Sequence, residues 1–234
     1  MIPTLITLST PALLYEQHAM TRAVLFDLDG TFADTAPDLA AALNQVLKEQ
    51  GKPALPYDSI RPVVSHGGIA LIKLAFDIPE QSPEFEQLRQ RLLEIYKKNI
   101  SLLTRLFDGM EELINELEHK GIAWGIVTNK PAWLTNPLME QLGYAQRAGT
   151  IVSGDTTKQR KPHPEPLFHA CREIHCKPEH CLYVGDAQRD IIAGKRAGMK
   201  TLGALFGYIE KHDKPENWGA DALIQHPREV KLFL

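Results

Sequence analysis

The sequence predicts an α/β fold: a doubly wound parallel sheet with an inserted all-helical unit. Three observations lead there. From Phe107 onward, short apolar runs alternate with segments of helical periodicity, the pattern of a parallel sheet joined by right-handed crossovers. Residues 34–104, between the first apolar run and that alternation, carry helical periodicity alone. Polar side chains capable of chemistry follow directly on several of the apolar runs, where an open parallel sheet presents its ligand crevice.

The first strand is Ala23-Val24-Leu25-Phe26, bounded by Arg22 and Asp27. A turn-like segment follows, and helical spacing starts at Asp34. Asp34 or Thr35 can cap, Pro37 suits the first turn, and Leu39, Ala42, Leu43, Val46 and Leu47 recur on one face up to Gly51. Ser65-His66-Gly67-Gly68 opens an apolar segment from Ile69 to Phe76, and a further helix is expected over about Ser82 to Leu103. Next come a helix at Met110 to Lys120, the strand Ala123 to Val127 and a helix at Ala132 to Leu142. The strand Thr150 to Ser153 leads through a basic loop to a helix ending near His175. The strand Cys181 to Val184, a helix from Arg189 to Ala197, and strands at Lys200 to Ala204 and Ala222 to Ile224 complete the set. The expected division is an extension at 1–20, a core made of 21–33 and 105–234, and a helical unit at 34–104.

The 234 residues suffice for a core domain with a smaller companion. With 26 basic and 29 acidic side chains and no long run of one sign, neither nucleic acid nor an anionic membrane is an expected partner. No apolar run approaches the roughly 20 residues of a membrane span. Residues 1–20 lack any Lys or Arg and carry no convincing cleavage site, so a loose extension is expected there, not a signal peptide. Three cysteines make no disulfide framework, which suits a reducing cytoplasm. A monomer or a homodimer is expected.

Four strand ends supply the chemistry. Asp27 and Asp29 stand two residues apart, and close carboxylates repel unless a cation lies between them. An oxygen-only donor set, with Asp186 as the third carboxylate, suits Mg²⁺. Asp27 then keeps an oxygen for in-line attack on phosphorus. Gly30 admits a phosphate close to the backbone, Thr128 and Asn129 add donors, and Lys161 brings positive charge to the equatorial oxygens. The expected substrate is a small phosphorylated metabolite.

The segments Asp27-Leu28-Asp29-Gly30-Thr31, Thr128-Asn129-Lys130, Lys161-Pro162 and Gly185-Asp186-Ala187-Gln188-Arg189-Asp190 resemble, in order, the motifs of the haloacid dehalogenase superfamily, with its Rossmann-like core. The resemblance runs from about Ala23 to Asp190. It implies Asp27 as nucleophile, passing through an aspartyl-phosphate, and Asp29 as general acid/base. It also implies the Asp29 main-chain carbonyl and Asp186 as metal ligands, Thr128 and Lys161 as phosphate ligands, and Asp190 as support for the metal site and Lys161. The helical insert looks like the superfamily's small cap. Lys161-Pro162-His163-Pro164, Thr128-Asn129-Lys130-Pro131 and the Phe206-Gly207-Tyr208-Ile209 tail are similar to the phosphoglycolate phosphatase branch, and that tail with Phe107-Asp108-Gly109-Met110 looks closer still to bacterial N-acetylmuramic acid 6-phosphate phosphatases. N-acetylmuramic acid 6-phosphate and 2-phosphoglycolate are the substrates so implied.

Two departures stand out. Ala187 replaces a side-chain oxygen usual in relatives, and Phe32-Ala33 replaces an aliphatic pair, a change expected to bear on cap packing. Ser65, His66, Gly67 and Gly68 open a helix whose free N–H groups favour an anion. The residues alone also read as a structural turn, and it is the resemblance, which places the substrate-specificity loop near there, that implies them as substrate contacts. The Cys and His residues between His163 and Cys181 lack zinc-finger spacing and are read as core cysteines and surface histidines. The tryptophans are read as core or rim packing. Among rivals, a phosphosugar mutase would share the nucleophile, a dehalogenase would lack Asp29, and no P-loop string occurs.

Overall fold

The computed structural model describes residues 21–234; the expected extension at 1–20 lies outside them. The chain begins with β1 (Ala23–Phe26) and a two-residue strand, β2 (Ala33–Asp34). Four helices follow: α1 (Ala36–Glu49), α2 (Tyr57–Ile60), α3 (Gly67–Ala75) and α4 (Pro83–Lys98). A second short strand, β3 (Arg105–Leu106), returns the chain. The alternating part then runs through α5 (Met110–His119), β4 (Ala123–Val127), α6 (Ala132–Leu142), β5 (Thr150–Val152) and α7 (Glu165–Glu173). It ends with β6 (Cys181–Gly185), α8 (Gln188–Ala197), β7 (Lys200–Ala204) and β8 (Ala222–Ile224).

Six strands form one sheet in the order β5-β4-β1-β6-β7-β8, all parallel. β1 is central: Phe26 pairs with Ile126 on one side and Val184 on the other. The chain moves outward through β4 and β5, then crosses back to β6, so the crevice opens beyond the ends of β1, β4 and β6. Both faces of β1 are covered, which is why its sequence is an unbroken apolar run. Val24 and Phe26 enter the core that continues into the helical block, while Ala23 and Leu25 face Leu167, Ala170 and Ala193 of α7 and α8. Burying each large side chain of this strand contributes about 1.5–3 kcal/mol. Among the described residues, no helix is long and apolar enough to cross a membrane.

The helical block departs from expectation at its ends. β2 and β3 pair antiparallel, Ala33 with Leu106 and Asp34 with Arg105, so the two crossings form a ribbon and Asp34 is strand, not helix. Neither Asp34 nor Thr35 caps α1. The Ala36 N–H donates 2.9 Å to the Tyr208 hydroxyl, which itself donates 2.7 Å to Asp34. α4 stops at Lys98, short of Leu103, because the chain must turn to meet Asp38. That buried carboxylate accepts from the Leu103 and Thr104 N–H groups and from the Thr104 hydroxyl at 2.7–3.0 Å. At its start α4 follows the local signal: Ser82 Oγ accepts from Phe85 N–H at 3.2 Å, with Pro83 in the first turn.

Phe32 also corrects an expectation. Its ring stacks on Trp124 at 5.6 Å and meets Tyr144 edge-on at 5.4 Å, so it packs the sheet core and not the helical block. Gly109 begins α5 at φ 79°, and a Cβ there would lie 2.4 Å from His226, so only glycine fits the return. Cys171 and Cys181 pack in the core with sulfurs 3.6 Å apart, and α7 ends at Glu173, leaving His175 beyond the helix.

Candidate active site

Asp27 leaves β1 with its N–H still bonded to Val184 O, 2.9 Å away. The chain then abandons extended geometry, as Phe32 N–H turns back to Asp27 O at 3.2 Å. This turn separates the directions of Asp27 and Asp29. The carboxylates whose oxygens gather within 4.8 Å of one another are Asp27, Asp186 and Asp190, all buried. The sequence put Asp29 in that group. Its Oδ1 instead accepts from Thr35 Oγ1 at 2.5 Å and pairs with Lys130 Nζ at 2.8 Å.

Lys161 closes the cluster from below. Its Nζ lies 2.8 Å from Asp27 Oδ1 and 2.7 Å from Asp190 Oδ1, and it donates 2.8 Å to Val127 O and to the Tyr183 hydroxyl. Asp190, in the first turn of α8, accepts from Ala187 N–H at 3.1 Å. The position of the departure at Ala187 thus donates through its main chain. Asp186 Oδ2 accepts from Ser65 Oγ at 2.8 Å and Tyr208 N–H at 2.9 Å, and Oδ1 from Thr31 Oγ1 at 3.3 Å. Burial first, and then the charges of Asp27 and Asp190, push the Asp186 carboxyl up to about 7. Burial likewise raises Asp190, against the pull of Lys161. Three clustered carboxylates and one ammonium leave an excess of negative charge out of water. An oxygen-only set of this kind fits a hard divalent cation.

Three expected phosphate donors have other work. Gly30 N–H donates to Ala33 O at 3.0 Å. The glycine is needed there because φ is 84° and a Cβ would lie 2.1 Å from Asp186 Oδ2. Both ends of the Asn129 carboxamide engage the Lys161 main chain, at 3.0 and 3.1 Å, so that side chain places Lys161. Thr128 Oγ1 accepts from Lys130 N–H at 3.1 Å, which leaves the hydroxyl proton available. Lys161 itself is wholly covered by its partners.

A cavity of about 700 Å³ lies over these strand ends. Asp27, Asp29, Thr128, Asn129 and Lys130 form one wall, and Ser65, His66, Gly67 and Gly68 form the facing one. The loop is tied to the core by Ser65 Oγ on Asp186, by Arg189 donating 2.7 Å to Ser65 O, and by His66 against Glu210 at 2.7 Å. Ser65 therefore touches a candidate metal ligand. Residues that the sequence reading left aside also line the cavity: Lys130, Trp133, Arg160 and Arg189. Lys130 and Arg189 sit inside quoted motifs, so proximity to Asn129 and Asp190 was an available signal. Trp133, read from the sequence as core or rim packing, is 42% exposed and stands on the cavity wall.

Residues 24–204 match the model of the family described as haloacid dehalogenase-like hydrolase. The chain is 43% identical over 213 residues to an N-acetylmuramic acid 6-phosphate phosphatase of Pseudomonas putida, covering 91% of this chain and 96% of that one. It is also 43% identical, over 209 residues, to a phosphoglycolate phosphatase of Xanthomonas campestris, covering 89% and 94%. A crystal structure described as a predicted phosphoglycolate phosphatase from Haemophilus somnus superposes with a TM-score of 0.80 at 26% identity, covering 91% of this chain and 97% of that one. Six parallel strands, a carboxylate cluster at their ends and these likenesses agree: the chain belongs to the haloacid dehalogenase-like hydrolase family, alongside its phosphatases.

Proposed function

We propose that the protein is a Mg²⁺-dependent phosphomonoesterase of small metabolites, working through an aspartyl-phosphate on Asp27. The observation that carries this is the buried group of Asp27, Asp186 and Asp190 around Lys161, with Asp27 reaching the cavity wall. Asp27 and Asp186, with the Asp29 carbonyl, are the proposed metal ligands, and Asp190 holds Lys161. Mg²⁺ bound there screens the charge between the nucleophile and the phosphoryl group. Asp27 attacks phosphorus, the bond to the substrate oxygen breaks, and Asp29 gives that oxygen its proton. In the second half Asp29 takes a proton from water as the water oxygen displaces Asp27 from phosphorus. Thr128, which lines the cavity with its hydroxyl proton free, is the proposed donor to the equatorial oxygens, and Lys161, held against Asp27, supplies positive charge from behind it.

Residues 34–104 act as a cap in this reading, hinged on the β2–β3 ribbon and Gly109, and closure excludes water. N-acetylmuramic acid 6-phosphate is the proposed substrate. A cavity of about 700 Å³ with the half-exposed Trp133 and the cationic Arg160 on its wall suits a sugar ring bearing a carboxylate. 2-Phosphoglycolate is the second reading, supported by relatives of equal identity. The free thiols of Cys171, Cys176 and Cys181 support a reducing, cytoplasmic setting. The test is phosphate release from a panel of phosphoesters, with and without EDTA. N-acetylmuramic acid 6-phosphate should exceed 2-phosphoglycolate by roughly tenfold or more in kcat/KM. The reverse order would move the assignment to phosphoglycolate, and full turnover in EDTA would remove the metal.

A further inference from the structure

Lys130 takes no part in the carboxylate cluster, yet it is almost as deeply placed. Its side chain is 7% exposed and its Nζ lies 2.8 Å from Asp29 Oδ1. Thr35 Oγ1 lies 2.5 Å from the same oxygen. Both anchors fall on Oδ1, and Oδ2 receives no hydrogen bond among the described residues, while Asp29 lines the cavity. One oxygen is held and the other is left to the reacting centre. On its far side the Lys130 ammonium rests over the ring of Tyr96, 4.6 Å from the centroid. Tyr96 belongs to α4, so this contact crosses from the core to the helical block. Tyr96 is fully buried, so the ammonium meets its ring out of water, where such a contact is stronger than at a surface.

We propose that Lys130 is a positioning residue for Asp29, and that Tyr96 makes its hold depend on the helical block being docked. The inference rests on the acid/base role given to Asp29 above. An Asp29 carboxylate fixed through Oδ1 aims Oδ2 at the water that breaks the aspartyl-phosphate. The water oxygen bonds to phosphorus, its proton passes to Oδ2, and the phosphorus–Asp27 bond breaks to free the carboxylate. If α4 lifts, Lys130 loses the ring beneath it and Asp29 loses one of its two anchors. Opening thereby slows hydrolysis of the intermediate by the same motion that admits solvent.

Lys130→Met, Lys130→Arg, Tyr96→Leu and Asp29→Asn, read against wild type with p-nitrophenyl phosphate, test this without assuming the physiological substrate. Lys130→Met should lower kcat by roughly 10–100-fold, the scale of a misplaced catalytic group, with KM nearly unchanged. Acid-quenched samples should hold more phosphoenzyme than wild type, because breakdown suffers most. Lys130→Arg should recover part of kcat. The double variant Lys130→Met/Asp29→Asn should be no slower than Asp29→Asn alone, since Lys130 acts through Asp29. A raised KM with unchanged kcat would make Lys130 a phosphate ligand and overturn the proposal, as would losses that multiply in the double variant. Should Lys130→Met fail to fold, Tyr96→Leu carries the test, and an undiminished kcat there overturns it. A wild type inert on every phosphoester would instead overturn the proposed function.

Discussion

The floor and the roof of the cavity are built on different terms. At the floor, Asp27 lines the cavity and Lys161, Asp186 and Asp190 lie packed against it, each no more than 3% exposed, and the Lys161 ammonium alone meets two carboxylates, a carbonyl and a hydroxyl. The roof is a six-residue 3₁₀ turn, Arg61–His66, and the start of α3. Arg61 anchors one end of it, donating to the Gly207 and Phe206 carbonyls at 3.0 and 3.2 Å, while the cavity end is held by Ser65 on Asp186, by Arg189 on Ser65 O and by the partly solvent-exposed His66–Glu210 pair. Exposed pairs of that kind contribute only about 0–1 kcal/mol. The layer that does chemistry is locked by buried ion pairs, and the layer that meets the rest of the substrate is lightly held only at its His66 end. A lightly held wall can change its contacts without disturbing the nucleophile.

If that contrast is right, floor substitutions strike every substrate alike and roof substitutions strike substrates unequally. The largest effect is expected from Asp27→Asn. An amide is a poor nucleophile, so phosphate release should fall by on the order of 10⁴-fold or more for all phosphoesters, with no phosphoenzyme trapped by acid quench. Residual turnover through a phosphoenzyme would break the assignment. Lys161→Ala comes next. It strands Asp27 and Asp190 without their cation, a loss of about 3–5 kcal/mol when one partner of a buried pair is removed. Thermal unfolding should show a clear fall in Tm, and kcat/KM should drop in similar proportion across the panel. The smallest effect belongs to His66→Ala and Gly68→Ala. An alanine at 68 meets only ordinary contacts with Leu93 and Arg89, so both proteins should fold as wild type. The ratio of kcat/KM between N-acetylmuramic acid 6-phosphate and 2-phosphoglycolate should move by roughly 3–30-fold, the worth of one lost contact. Unchanged ratios in both variants would make the roof a structural turn and erase the comparison.

What the sequence alone determined is what local order can encode. Unbroken apolar runs announced strands covered on both faces, and each predicted sheet strand is present within a residue at either end. The expected helix start near Ser82 agrees with the structure, where a local Ser82 cap on Phe85 N–H fixes the start of α4 within four residues. The strand-end positions of Asp27, Thr128, Lys161 and Asp186 were legible because a parallel sheet delivers its strand ends to one crevice. Distant contacts decided the rest. α1 is capped by Tyr208, 172 residues away, and α4 is cut short by the turn that brings Thr104 to Asp38. The β2–β3 ribbon is two residues wide, too short for any period to register. The Asp29 side chain stands outside the carboxylate cluster because the chain curls after Asp27, and a spacing of two predicts a shared face only while the strand lasts. Lys130 and Thr35 meet at one Asp29 oxygen, and Tyr96 of α4 reaches Lys130 from the helical block; no spacing along the chain encodes either meeting.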